Sequence, residues 1–207
     1  SSQSRGLGDV YKRQVVITGI GIISCLGNNK DEVLASLLAS KSGLTFNPEY
    51  KQHGMRCHIS GQVNPYLDAI DRKMLRFMSE TSAYAFLSTE EALADSGLGI
   101  EDINNEKTGV IVGSGTGSSR ELKNVFDTAR EKGVKRVGPY AVTRTMGNTT
   151  SAAISTFFET KGVSFSIASA CSTSLHCISH AFDLIKSGKQ KTVIAGGSED
   201  DHWTGAM

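Results

Sequence analysis

The chain has 207 residues, of which 39% are hydrophobic and 21% are charged, and its formal net charge is +1. This composition is typical of a soluble α/β protein with one core, and it neither requires a membrane nor indicates a nucleic acid as a partner. The four cysteines form no CxxC pair, and a chain of this size needs no disulfide, so we expect a reducing, cytoplasmic setting. The spacing of histidines and cysteines predicts no structural metal site.

The first fourteen residues differ from the rest because they are polar and show no hydrophobic period. They contain neither the apolar core of a signal peptide nor the arginine-rich pattern of a transit peptide. Residues 9–14 resemble a translated sequencing adaptor. We therefore interpret residues 1–14 as a leader that is not native to the protein, and residues 15–207 as the folded domain.

The folded part is predicted to begin with a buried strand over residues 15–23, an apolar run that contains Gly19 and Gly21. Ser24 stands where a dinucleotide-binding fingerprint needs its third glycine, so a nucleotide site is not favoured. A helix over residues 31–40 follows, and its valine and leucines predict a packed face.

A long helix is predicted over residues 71–96, with Gly97 ending it. Arg72, Lys73 and Arg76 cluster in its first turns, although cations are unfavourable at the positive end of a helix dipole. Two interpretations remain open at this point: a solvated face, or a surface for an anionic partner.

A buried strand that enters a glycine-rich turn is predicted over residues 108–118. The turn lacks the Gly-Lys-Ser/Thr of a P-loop, so we interpret its glycines as allowing unusual backbone angles or close packing beside a site. A charged segment with Lys132 and Lys135 follows, and then one helix rich in small residues over 142–158. A last buried strand is predicted over 191–197, parallel to the strand before it, because strand, helix and strand alternate.

The stretch just before this last strand is the strongest candidate for a catalytic site. Residues 163–167 alternate as a strand does, residues 168–170 are small enough for a sharp turn, and a helix is predicted from there to near Gly188. Cys171 therefore falls where a strand passes into a helix. Backbone N–H groups and the helix dipole favour a thiolate there and could hold a developing oxyanion. The alternative is an ordinary buried cysteine.

The nearby histidines are poor partners for Cys171. His176 lies roughly 140° and His180 roughly 180° around the helix from it. Their own i, i+4 spacing imitates a metal site, but without carboxylate support we favour core or interface packing. Activation of Cys171 would then depend on the helix N-terminus and on groups elsewhere in the fold.

Six motifs, in order and at family spacing, resemble the N-terminal half of a β-ketoacyl-acyl-carrier-protein synthase. This family of condensing enzymes belongs to the thiolase-like superfamily, and the resemblance is nearest to the synthase I type. The motifs are Val15-Val-Ile-Thr-Gly-Ile-Gly21, Ile70-Asp-Arg-Lys-Met-Leu-Arg-Phe-Met-Ser79, Gly113-Ser-Gly-Thr-Gly-Ser118, Val137-Gly-Pro-Tyr140, Ala168-Ser-Ala-Cys-Ser-Thr-Ser174 and Ala195-Gly-Gly-Ser-Glu199.

The resemblance implies a thiolase-like α/β fold, the N-terminal half of a five-layered α/β/α/β/α sandwich that forms a homodimer. Residues 15–207 would then end before the C-terminal domain. Cys171 would take an acyl chain from acyl carrier protein as a thioester, with its backbone N–H in the oxyanion hole, and malonyl-carrier protein would lose CO₂ and attack that thioester. No cofactor of the chain's own is implied, because the carrier protein bears the phosphopantetheine.

The resemblance also assigns roles to residues around Cys171. Gly115, Met146 and Ala170 match positions beside the family's acyl pocket, with plain packing as the alternative. The positions that match the docking surface for the acidic acyl carrier protein are Arg72, Lys73, Arg76, Lys132 and Lys135. The family's two catalytic histidines and its lysine lie in the C-terminal half, and none of this chain's histidines matches them. We therefore expect the chain alone to be inactive.

Three alternatives to a fatty-acid synthase stay open. One is a polyketide-type ketosynthase, and another is a non-catalytic partner like a chain-length factor, which normally lacks the cysteine. The third is a thiol hydrolase, which would require a histidine near Cys171.

Overall fold

The computed structural model describes residues 14–206, so the leader predicted for residues 1–14 lies outside the described residues apart from Gln14. The helices are α1 (Lys30–Leu38), α2 (Pro48–Gln52), α3 (Arg72–Leu75), α4 (Glu80–Ser96), α5 (Ile100–Ile103), α6 (Ser119–Lys132), α7 (Ala141–Thr145), α8 (Thr149–Phe157) and α9 (Thr173–Lys186). The strands are β1 (Thr45–Phe46), β2 (Ile59–Ser60), β3 (Thr108–Gly113), β4 (Ser164–Phe165) and β5 (Thr192–Gly197). Short 3-10 turns lie at Leu67–Ala69, Val134–Arg136 and Trp203–Gly205.

A parallel sheet with the strand order β4-β3-β5 forms the centre of the described chain. The ladder between β3 and β5 runs from the pair Thr108 and Thr192 to the pair Gly113 and Gly197. All six residues of β3 are buried, as expected for the central strand of a parallel sheet with helices on both faces. The α/β fold with parallel strands predicted from the alternation of strand and helix is therefore confirmed.

Successive side chains of β3 point to opposite faces of the sheet, and each face has its own apolar cluster. Val110 and Val112 pack with Ile154 of α8 and with residues of α4, so these two helices cover one face. Ile111 packs with Cys177 of α9 on the other face. The layers are thus helix, sheet and helix, and α9 lies directly behind the turn that carries Cys171.

The prediction of a buried strand over residues 15–23 is wrong. The segment is irregular, and several of its apolar side chains are exposed. The backbone N–H of Ile20 donates to Asp95 of α4 at 3.0 Å. The N–H of Ile22 likewise donates to Glu91 at 2.8 Å. Carboxylates of α4 therefore accept the backbone hydrogen bonds that the carbonyl groups of a neighbouring strand would accept in a sheet.

Two helices predicted as continuous are each divided. The helix predicted over residues 71–96 consists of α3 and α4, because Ser79 has extended backbone and its side chain caps α4. Gly97 ends α4 in the left-handed conformation, as predicted. The helix predicted over residues 142–158 consists of α7 and α8, because Met146 between them is extended, with φ −66° and ψ 146°. Local periodicity could not show either break.

The packed face predicted for α1 is wrong for most of its residues. Val33 is buried, but the leucines of the same stripe are exposed. Exposed apolar side chains also lie on α9. The exposed residues of the two helices are Leu34, Leu37, Leu38, Leu175, Ile178 and Phe182. Within residues 14–206, no helix combines the length and the apolar composition that crossing a bilayer requires.

Candidate nucleophile site

Cys171 lies in the turn between β4 and α9, two residues before α9 begins at Thr173. Its side chain is exposed. Ser172 occupies the N-cap of this 14-residue helix without a capping hydrogen bond from its side chain. The predicted position of Cys171 at a strand-to-helix junction is confirmed.

The turn holds the residue before the cysteine in an uncommon conformation. Ala170 has φ 50°, in the left-handed region, which costs a residue with a Cβ about 1 kcal/mol or more. The buried side chain of Thr173 stabilises this conformation: its Oγ1 donates to the Ala170 carbonyl at 2.7 Å and accepts from the Ser169 N–H at 2.9 Å. The turn is therefore fixed by its own hydrogen bonds and presents Cys171 at the surface.

The glycine-rich turn after β3 packs directly against the cysteine turn. A Cβ on Gly115 would lie 2.9 Å from the Cα of Ala170, and one on Gly113 would lie 2.7 Å from Cγ2 of Thr173. Gly117 adopts φ 69°. The close packing and the unusual backbone angle predicted for these glycines are confirmed, and their place beside a functional site remains a prediction.

The structure brings together two of the three residues that the resemblance places beside the acyl pocket. Gly115 and Ala170 are in contact next to Cys171. Met146 instead lines an apolar groove of about 380 Å³ formed by α7, α8 and the ring of Phe77, and neither Gly115 nor Ala170 lines that groove. The acyl-pocket roles of all three residues remain predictions.

The basic residues assigned to carrier-protein docking come from two segments. All are exposed: Arg72, Lys73, Arg76, Lys132 and Lys135. The first three lie on α3 and just after it, whereas the two lysines lie at the end of α6 and in the following 3-10 turn. Phe77 directly follows Arg76, and Tyr140 lies four residues after the 3-10 turn, which ends at Arg136. The rings of Phe77 and Tyr140 contact edge to face, with centroids 4.8 Å apart. The two basic segments are therefore joined by an aromatic contact.

The two histidines nearest to Cys171 in the sequence, His176 and His180, contact other residues. Within residues 14–206, Cys171 has no hydrogen bond to either of them. His176 Nδ1 lies 2.6 Å from the hydroxyl of Ser169, in the cysteine turn, and the ring of His180 packs edge to face on Phe165. The link from His176 to the turn is not visible in the local pattern, because it forms only when Ser169 folds back onto the first turns of α9.

The second cysteine of α9 has a different environment. Cys177 is fully buried against Ile111, and this burial raises the pKa of its thiol. A raised pKa keeps the thiol protonated and unreactive, so Cys177 is a packing residue, in contrast to the exposed Cys171.

Glu199 is a residue of the site that local sequence pattern did not predict. Its carboxylate accepts hydrogen bonds from the hydroxyls of Ser114 (2.8 Å) and Thr116 (3.1 Å). It also accepts a hydrogen bond from the Gly115 N–H. The available signal was topological: Glu199 follows the carboxyl end of β5, and the carboxyl ends of adjacent parallel strands meet at one edge of a sheet.

The fold and the site define an α/β protein that presents an exposed cysteine at the carboxyl edge of a parallel sheet. The family model for the β-ketoacyl synthase N-terminal domain matches residues 12–205, and the chain belongs to this family.

Individual relatives agree with this assignment. The chain is 50% identical over 194 residues to 3-oxoacyl-[acyl-carrier-protein] synthase 1 of Haemophilus influenzae, and 50% identical over 196 residues to the Escherichia coli K12 protein of the same name. In both cases the match covers 92% of this chain and 48% of the relative. A β-ketoacyl synthase structure from Burkholderia phymatum superposes with a TM-score of 0.82 at 31% identity, over 92% of this chain and 48% of that one. The chain thus spans about half the length of its relatives.

Proposed function

We propose that the complete protein containing this chain is a homodimeric 3-oxoacyl-acyl-carrier-protein synthase of type 1 that elongates fatty acids. The observation that supports the proposal is the placement of Cys171: it is exposed, it lies at the N-terminus of α9, and the residue before it, Ala170, packs against the glycine turn at Gly115. The names of the relatives supply the substrate class. The proposal is tested by incubating the complete protein with acyl- and malonyl-carrier protein. We expect 3-oxoacyl-carrier protein, and release of free fatty acid instead would indicate a thiol hydrolase.

The first half of the proposed reaction is a thioester exchange. The Cys171 thiol loses its proton, and the thiolate attacks the acyl carbonyl. The bond from that carbonyl to the phosphopantetheine sulfur breaks, and the sulfur leaves as a thiolate that takes up the proton lost by Cys171. The backbone N–H of Cys171 is assigned to the oxyanion of the intermediate, where a donor lowers the barrier by stabilising developing charge.

The second half forms the new carbon–carbon bond. Malonyl-carrier protein loses CO₂, and its carbanion attacks the acyl carbonyl on Cys171. Collapse of this adduct expels the Cys171 thiolate and yields 3-oxoacyl-carrier protein, so the nucleophile is regenerated. The groups that promote decarboxylation are assigned to the C-terminal half of the family's proteins. None of this chain's histidines matches the catalytic histidines of that half.

The proposal assigns the nucleophile and the decarboxylating groups to different halves of the complete protein, and this leads to a prediction for the isolated chain. Purified residues 15–207 are expected to form no 3-oxoacyl product from acyl- and malonyl-carrier protein, because they contain the nucleophile without the decarboxylating groups. The complete protein, assayed in parallel by mass spectrometry of the carrier proteins, serves as the positive control. Measurable 3-oxoacyl product from residues 15–207 alone would contradict the prediction.

The basic segments make a second prediction, about carrier-protein docking. Reversing Arg72 and Lys73 to glutamate in the complete protein should raise the KM for acyl-carrier protein about tenfold or more, because the charges steer an acidic partner. The effect should shrink above physiological salt, where the screening length is about 8 Å or less. The matched control reverses Lys161 and Lys191, exposed cations at the opposite, amino-terminal edge of the sheet. Equal KM values for the two double variants would refute the docking surface.

A further inference from the structure

We infer that Glu199 is a positioning residue for acyl transfer to Cys171: it anchors the glycine turn whose Gly115 packs against Ala170. The inference rests on the proposed function and extends it to a residue outside the motif that carries the nucleophile.

The carboxylate of Glu199 accepts hydrogen bonds from three donors of the glycine turn. Oε2 of Glu199 accepts from the hydroxyls of Ser114 and Thr116, and Oε1 accepts from the Gly115 N–H. The Ser114 hydroxyl in turn accepts from the Gly117 N–H at 2.8 Å, so the turn is closed on itself as well as on Glu199. Charge-assisted hydrogen bonds of this kind are stronger than neutral ones, so the carboxylate fixes where the turn lies.

The glycine turn packs closely against the residue that precedes Cys171. A Cβ on Gly115 would lie 2.9 Å from the Cα of Ala170 and 3.1 Å from its carbonyl oxygen, so the two backbones are already in close contact. Ala170 is the left-handed residue immediately before Cys171. A displacement of the glycine turn therefore alters the packing behind the attacking sulfur, and misplacement by about 1 Å can reduce an enzymatic rate roughly 100-fold.

Glu199 lies beyond the part of the structure that the sheet stabilises. Pairing of β3 with β5 ends at Gly113 and Gly197, and one further bond, from the Ser198 N–H to the Gly113 carbonyl at 3.0 Å, follows the ladder. The side chain of Glu199 is exposed and its bonds hold only the turn. Its loss should therefore change the rate of acyl transfer far more than the stability of the fold.

The test compares three variants of the complete protein: Glu199→Ala, Glu199→Gln and the control Asp200→Asn. Asp200 is the adjacent carboxylate, but it accepts from Ser118 (2.7 Å) at the start of α6 and does not contact Gly115. The rate of acyl transfer from acyl-carrier protein to Cys171 is measured by mass spectrometry of the Cys171 peptide, and the melting temperature is measured on the same samples.

We expect Glu199→Ala to reduce the rate of Cys171 acylation about 10- to 100-fold. Glu199→Gln should fall between this variant and the wild type, because an amide retains one acceptor oxygen. Asp200→Asn should stay within about threefold of the wild type, and all three melting temperatures should remain within a few degrees. A wild-type rate in Glu199→Ala would overturn the role of Glu199 alone, as would equal rate losses in Glu199→Ala and Asp200→Asn. No acylation of the wild-type protein would overturn the proposed function itself.

Discussion

Replacement of Cys171 by alanine is expected to eliminate 3-oxoacyl product formation by the complete protein, with a loss in kcat of at least about 1000-fold. The reason is that the other thiol of α9 cannot replace Cys171, because Cys177 is buried and burial raises the pKa of its thiol. Because the Cys171 side chain is exposed, its removal leaves no cavity in the core. The variant should therefore melt at the wild-type temperature, and product formation is measured by mass spectrometry.

The control for this experiment is Cys57→Ala, which removes another exposed thiol. Cys57 lies between α2 and β2, outside the cysteine and glycine turns. It should retain full activity. Product formation by Cys171→Ala at more than about 0.1 per cent of the wild-type rate would contradict the nucleophile assignment.

Substitution of Gly113 by alanine is expected to destabilise the protein by about 3 kcal/mol and to abolish activity with it. An alanine Cβ would overlap the carbonyl oxygen of Ile167 and lie 2.7 Å from Cγ2 of Thr173. Because the carbonyl belongs to the backbone, it cannot rotate away as a flexible side chain could. The strand and the start of the cysteine turn would have to separate, as denaturant unfolding of the complete protein would show.

Gly196→Ala is the matched control for this prediction. Gly196 is also a strand glycine of the same sheet, paired with Val112, but an added Cβ would meet no atom within 4 Å. Its free energy of unfolding should change by less than about 1 kcal/mol. If Gly113→Ala proved as stable as Gly196→Ala, the close packing of β3 on the cysteine turn would be wrong.

The sequence predicted the placement of Cys171 well because that placement depends on local pattern. Alternating residues, three small residues and an amphipathic run define strand, turn and helix within about twenty-five residues. The same holds for the central strand β3 and its glycine turn. In each case the neighbouring chain segment alone contains the information.

The predictions were wrong where distant contacts, or local breaks that leave the apolar period intact, decide the structure. Residues 15–23 have the composition of a buried strand, but α4 supplies the carboxylates that take backbone N–H groups of Ile20 and Ile22. The breaks before α4 and α8 depend on a side-chain cap at Ser79 and an extended residue at Met146, neither of which interrupts the apolar period. The role of Glu199 requires knowing that β5 lies beside β3, which motif spacing does not show.

The family resemblance added what local chemistry could not decide. Pattern alone left Cys171 either a nucleophile or an ordinary buried cysteine, and helical geometry removed the two nearest histidines as its partners. The exposure of Cys171 excludes the buried alternative. The acyl substrate and the condensation step come from the relatives, and they therefore belong to the proposal.

The most direct test of the account is to locate the acyl group after the complete protein is incubated with acyl-carrier protein in the absence of malonyl-carrier protein. Proteolysis and mass spectrometry should find the acyl mass on the peptide that contains Cys171, bound as a thioester that hydroxylamine releases. An acyl group on another residue, or an unmodified Cys171 under conditions in which product forms once malonyl-carrier protein is added, would contradict the central claim.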